Sequence, residues 1–381
     1  MSEYQYYEFV AIDRPLTKKE VAELRACSSR AMITSTGFVN DYQWGDLKAD
    51  PADWMERYFD AFVYTANWCS CRFALRLPHE AFSKAQLKSF TSGFSLTADH
   101  AGTHWIMTWS LNEGQNYDRF DQETGQGWMG RLIPLRDELL RGDLRPLYLG
   151  WLAGVSAGEV DDDMVEPEVP PGLSTLSAAQ QALVEFLEID VDLVEAASAA
   201  SPPDWQDDDS VEVWVEELAR HDIHYVLNLL LLGASHQAER WAKSSFRTWQ
   251  KASGSSEPLS LPLRQVAALR AMAEKANKLR QEQEAIEYAR HEAKQRKQRE
   301  AYLRQLLINA EQHWKTIDQL AERGTASGYE AAKCAIVDLA DAYAFTSDQN
   351  TFDKALQRFM VRHSKRAALV RRLVEVGLWK K

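Results

Sequence analysis

LRQVAALRAMAEKANKLRQEQEAIEYARHEAKQRKQREAYLRQLLINAEQHWKTIDQLAER occupies residues 263–323 and contains neither proline nor glycine. Helix formers fill it almost throughout, so it reads as one α-helix; at 1.5 Å per residue such a helix is about 90 Å long. Its apolar pattern decides what the rod does. Leu269, Met272, Ala276, Leu279, Gln283 and Ile286 follow an alternating three-and-four spacing, as do Leu303, Leu307, Ala310, Trp314 and Ile317. Between the two sets the same register holds Arg290, Ala293, Lys297 and Glu300, which offer no seam. A charged middle with apolar ends describes a helix crossing solvent, held by acid–base pairs one turn apart, more than a continuous coiled coil. The expectation is a long helix over 262–323 that bridges two unlike modules.

Downstream, Gly324 and Gly328 break the pattern, and amphipathic stretches at 329–345, 347–363 and 365–376, closed by Gly377, predict a C-terminal helical domain over 329–381. Upstream, helices are expected at 177–187, 190–199, 211–221 and 222–249. Leu183, Phe186, Leu187, Val191, Leu193, Val194, Val213, Trp214, Leu218, Val226, Leu229, Leu230 and Leu231 would form the small core of an acidic helical domain over 177–252. Residues 156–176 are small, acidic and proline-rich, a composition that reads as a linker because it lacks the apolar surface to offset chain entropy. Further breaks are expected at 201–209 and 253–258.

The first 155 residues read differently. Residues 6–12 alternate like a strand, and Thr17 with Glu20 forms a capping box for a helix over 17–27. Short β-like runs at 31–38 and 40–44, an aromatic helix over 51–67 opened by Pro51, and an alternating run at 72–77 complete the order β-α-β-β-α-β. That order suits a ferredoxin-like split β-α-β domain with a four-stranded antiparallel sheet, which a strand at 104–111 would extend. The fold class expected is therefore α+β, with the sheet domain first and helices after it.

Composition bounds the function. Of 381 residues, 45% are hydrophobic and 26% charged, which excludes a disordered or collagenous chain. The longest apolar candidate, 225–234, is about ten residues and carries Asn228, short of the roughly 20 a bilayer crossing needs. The start MSEY lacks a secretory pattern and four cysteines make no disulfide framework, so a reducing cytoplasm is expected. The net charge of −12 conceals segregation: residues 146–219 contain no Lys or Arg and 18 acids, whereas 221–381 carry 27 bases against 18 acids. An acidic centre repels nucleic acid and a basic end can attract it.

Candidate chemistry is sparse. GQGWMG at 125–130 matches the dinucleotide-binding glycine pattern, but it follows the polar run NYDRFD rather than an apolar strand and reads as a turn before a helix. Cys69, Cys71, His100 and His104 supply two sulfurs and two imidazoles, a donor set a tetrahedral zinc or a Cys/His nucleophile pair could use. An extended Cys-x-Cys places its sulfurs on opposite faces, however, and so bites a metal poorly. The Asp161–Asp163 and Asp207–Asp209 runs lack the calcium-loop order and read as solvated loops. Trp44, Trp54, Trp68, Trp105, Trp109 and Trp128 crowd the first domain, and any of them left on the surface would mark a binding face. Arg366, Arg371, Arg372 and Trp379 head a basic stretch suited to a phosphate backbone or an acidic protein.

LRDELLRGDLRPLYLGWL (135–152), EPEVPPGL (166–173) with FLEID (186–190), and LVRRLVEVGL (369–378) together resemble a widespread group of bacterial proteins without an assigned function. The likeness covers most of the chain beyond residue 130. It implies a bacterial, cytoplasmic source and carries no activity, cofactor or site residue. With no cofactor motif and no convergent catalytic group, the leading expectation is a non-enzymatic interaction or scaffold subunit whose partners are other bacterial proteins. An accessory nucleic-acid-binding subunit acting through the basic end is the alternative, and a metal-dependent or Cys/His enzyme in the first domain the second.

Overall fold

Aromatic residues at alternate positions build the sheet. In chain order the leading elements are β1 (Gln5–Val10), α1 (Lys18–Cys27), β2 (Met32–Ile33), β3 (Gly37–Tyr42), α2 (Pro51–Arg57), β4 (Ala61–Ala66), β5 (Ser70–Pro78), α3 (Lys84–Phe90), β6 (Leu96–Ala101) and β7 (His104–Leu111). The computed structural model describes residues 3–112, 114, 120, 125–202, 209–253 and 264–380. Its strands form one antiparallel sheet of seven, ordered β2-β3-β1-β4-β5-β7-β6. Phe9 pairs with Phe38 on one side and Phe62 on the other, with ring centroids 6.0 and 4.4 Å apart. Such cross-strand pairs are the unit of sheet stabilisation.

The fold is therefore mixed α/β, as expected, but the sheet has seven strands where four or five were expected. The predicted helix over 51–67 ends at Arg57, because Ala61-Phe62-Val63-Tyr64-Thr65-Ala66 is β-branched and aromatic and joins the sheet as β4. That insertion moves the 72–77 strand, found within β5, one place outward from β1. The capping box of Thr17 and Glu20 is present, and Asp50 caps α2 ahead of Pro51.

Both faces of the sheet are covered. Phe9, Phe38, Phe62 and Ile106 pack with Leu24 of α1 and Trp54 of α2 on one face. On the other, Val63, Phe73, Leu75, Met107 and Trp109 pack against α4 (Trp128–Leu132), α5 (Pro134–Leu140), α6 (Arg145–Ser156), α7 (Ala178–Phe186) and α8 (Val191–Ser198). Gly127, at φ 83°, makes the turn into α4. Gly150 and Gly154 let α6 lie close: a Cβ at Gly150 would sit 2.7 Å from Trp109 Nε1, and one at Gly154 2.3 Å from Ser92 Oγ.

Residues 156–176 are not a free linker. Glu166 is buried and accepts from both Arg264 Nε (2.7 Å) and Nη2 (2.8 Å), while its N–H donates to the Arg264 carbonyl (2.9 Å). Composition misleads here because the segment joins the core through this ion pair together with buried Val160 and Leu173. Nor is 177–252 a separate core, since Leu183, Phe186, Leu187 and Leu193 join the sheet's own cluster. The predicted helix over 222–249 divides at Gly233 (φ 75°), so that α9 (Asp209–Glu217), α10 (Arg220–Leu231) and α11 (Ser235–Ser253) follow. The break at 253–258 lies beyond the described residues from position 254 onward, as does most of the one at 201–209.

The predicted rod is two helices. α12 (Val266–Ile308) and α13 (Ala310–Glu322) are interrupted at Asn309. The chain divides into two compact units, Met1–Leu279 and Arg280–Lys381. Val266, Leu269 and Ala273 of α12 are buried in the core of the first. In the second, Leu303 and Leu306 pack with α13, α14 (Ala326–Phe345), α15 (Gln349–His363) and α16 (Ala367–Glu375) around Ile336, Leu339, Phe352 and Phe359.

Candidate interaction surface

The groups singled out for chemistry do not assemble. Cys71 pairs across the sheet with Leu111 at one end of β5, whereas His104 pairs with Pro78 at the other, seven residues along. At about 3.3 Å per residue the sulfur and imidazole ends stand some 20 Å apart, so Cys69, Cys71, His100 and His104 cannot share one ion. Cys71 donates instead to the Phe186 carbonyl (3.0 Å). His100 joins His79 and Trp105 in a ring cluster with centroids 4.9–5.3 Å apart, and His104 contacts Thr103 Oγ1.

The basic end is also occupied. Arg372 reaches Glu330 (3.4 Å) and donates to the Ala368 carbonyl, Arg366 donates to Tyr329 Oη (3.4 Å), and Trp379 packs on the core of its unit. Arg371 is exposed, 3.8 Å from Glu375. Three of the four nominated residues thus engage the rest of their unit, Arg372 from within α16 and Arg366 and Trp379 from its flanks.

Two polar clusters look catalytic until their partners are counted. Tyr148 donates to Glu166, the carboxylate that Arg264 grips from its other side. Burial, reinforced by the Glu166 charge, pushes the Tyr148 phenol far above its ordinary value. Glu138 and Asp143 share the amide of Gln180 (2.8 and 2.9 Å), but Ser177 also holds Glu138 and Arg145 holds Asp143. Carboxylates saturated by donors in this way have little leverage as bases. The tryptophans of the sheet are mostly internal: Trp54, Trp105, Trp109 and Trp128 are buried, and Trp44 is exposed.

The surface that stands out is on α10. Tyr225 packs edge-on against Trp241 of α11 and Leu229 is buried, while Trp214 of α9 meets Phe246 of the same α11. One side of α10 is spent in this way. Ile223, Leu227, Leu230 and Leu231, spaced i, i+4, i+7 and i+8, form a stripe on the other side and remain 39%, 51%, 50% and 84% exposed. Leu232, at the helix end, is 82% exposed. Together they present roughly 400 Å² of apolar surface, the scale at which a patch on a folded chain marks a contact site. Exposed Glu212, Glu216 and Glu217 of α9 lie in the chain segment devoid of Lys and Arg.

Sequence reasoning assigned Leu230 and Leu231 to a core, and they are outside it. The signal was present: 225–232 carries apolar residues at seven of eight positions, more than one buried helix face accommodates. Comparison with protein-family models, curated protein sequences and solved structures returned no match.

Proposed function

We propose that this protein is a non-enzymatic interaction subunit that docks a helix of a partner protein on the apolar stripe of α10. The carrying observation is the stripe itself, four large aliphatic side chains at helical spacing left in solvent beside an already packed opposite face. Burying it is worth about 10 kcal/mol at about 25 cal/mol per Å², before association costs. Charge supplies the partner's chemistry: α10 follows directly on a stretch, residues 146–219, with 18 acids and no Lys or Arg, so the docking helix presents leucines flanked by Lys or Arg. Partners in a bacterial multi-protein system fit this reading.

The test uses two 18-residue peptides of Leu and Lys, one with a single apolar face and one scrambled to have none. Fluorescence anisotropy with the full-length protein is expected to show saturable binding of the amphipathic peptide alone. Leu227→Asp with Leu231→Asp is expected to weaken it at least tenfold without changing the circular dichroism spectrum. Equal binding of both peptides, or an unaffected double variant, overturns the reading.

A nucleic-acid-binding alternative is favoured by one observation, displaced from the C-terminus to α12. Arg290, Lys294 and Lys297 are exposed along one face of α12 together with Ala293, Gln298 and Ala301, and they make no ion pair among the described residues. Binding of a duplex oligonucleotide that weakens steeply with salt and is abolished by Lys294→Glu with Lys297→Glu would support it.

Strand order supports a finer reading of the sheet. With α1 and α2 on a common face, β2-β3-β1-β4 follows the plan of a split β-α-β unit, to which β5, β7 and β6 are added.

A further inference from the structure

A second feature of the first unit is independent of the α10 stripe. Between the β1–α1 loop, the end of β5, α5 and the start of α11 lies a cleft of about 260 Å³, lined by Asp13, Pro78, Glu80, Arg136, Leu140, Ala234, His236, Gln237 and Arg240. Its charged groups are unequally satisfied. Arg136 is 9% exposed; its Nη2 grips both oxygens of Asp13 (2.9 and 2.8 Å) and its Nε donates to the Arg76 carbonyl (3.3 Å). Asp137 takes His236 and Arg141. Arg240 is the exception. Its stem lies against Gly142, its Nη1 makes one long contact to the Leu140 carbonyl (3.4 Å), and no carboxylate among the described residues comes within ion-pair distance. Burial pulls its pKa below the ordinary value against the opposing field of Glu80, so the cation is partly desolvated with a carboxylate nearby but none in contact among the described residues.

We propose that this cleft binds a small monocarboxylate, with the Arg240 guanidinium taking the carboxylate and Pro78, Leu140 and Ala234 receiving the hydrocarbon part. A planar guanidinium with free donors matches a carboxylate in bidentate fashion. The volume sits at the lower edge of small-molecule sites, so the acid is metabolite-sized. Glu80, which lines the same cleft and acts on Arg240 through its charge, disfavours a second negative charge and therefore a phosphate dianion.

The experiment titrates the full-length protein with 4-methylpentanoate, 4-methylpentanamide and inorganic phosphate, followed by calorimetry and ligand-detected NMR. The acid is expected to bind saturably, the amide and phosphate at least tenfold more weakly. Arg240→Gln is expected to lower affinity for the acid at least tenfold. Glu80→Gln is expected to raise it a few-fold, a gain that misfolding does not produce. The proposal falls if the acid shows no saturable binding, if acid and amide bind alike, if phosphate binds more tightly than the acid, or if Arg240→Gln leaves the acid's affinity unchanged.

Discussion

Glu166 shows how one side chain reverses the meaning of its segment. Its side chain is 1% exposed and paired with Arg264, itself 13% exposed, so each is a buried charge that needs the other. Truncating one partner of such a pair costs about 3–5 kcal/mol, whereas replacing both with apolar groups of similar volume is much less costly. Glu166→Leu and Arg264→Met are each expected to be strongly destabilising in urea unfolding, and the double variant less so than the sum of the two. Glu20 and Asp60 bring acid sensitivity. Arg14, then the Thr17 N–H, holds Glu20 down to about 2. Burial alone would raise Asp60, yet the Asp13 and Ile12 N–H groups and the Arg76 guanidinium outweigh it and leave it below its ordinary value. Both folded values lie under the unfolded ones of about 4.3 and 3.9, so these contributions are complete above about pH 5 and are lost as pH falls toward 2. Unfolding free energy measured from pH 5 to pH 2.5 should decline, and Asp60→Asn should flatten that decline.

At the scale of elements, α6 is placed by what its glycines omit. Alanine is about 1 kcal/mol better than glycine in a helix interior, so an unopposed Gly150→Ala would stabilise. The new methyl would instead meet Trp109, whose indole donates to the Pro146 carbonyl (3.0 Å), and overpacking of this kind costs about 1–3 kcal/mol. A lowered melting temperature for Gly150→Ala is expected, and a raised one would show that α6 can move off the sheet. Helix positions in this region were largely legible in sequence: α7 and α8 lie within the stretches their periodicity marks, as do α14 to α16 to within a few residues. β4 was not, because its aromatic residues continue the pattern of α2 and only pairing with β1 and β5 separates them.

For the whole molecule, the apolar clusters assign stability to two places. The sheet and its helices share one unit, and Leu303 to Leu373 belong to the other. Phe359 is fully buried, and its truncation to alanine costs about 3–5 kcal/mol. Calorimetry of the full-length protein is expected to resolve two transitions, with Phe359→Ala lowering only one of them. A single transition that shifts as a whole would show that the units unfold together.

Local patterns determined the helices of the second unit, the capping box at Thr17 and the acidic centre, because periodicity, caps and charge are properties of neighbouring residues. Even the α10 stripe was legible as an excess of leucine. Tertiary structure alone decided that Glu166 is buried, that Arg366 and Arg372 are engaged while Arg240 has no carboxylate in contact among the described residues, and that Cys71 and His104 stand at opposite ends of the β5–β7 pair. Each of those facts depends on which distant residue arrives beside a side chain, and the contacts that settle it span up to about a hundred positions of chain.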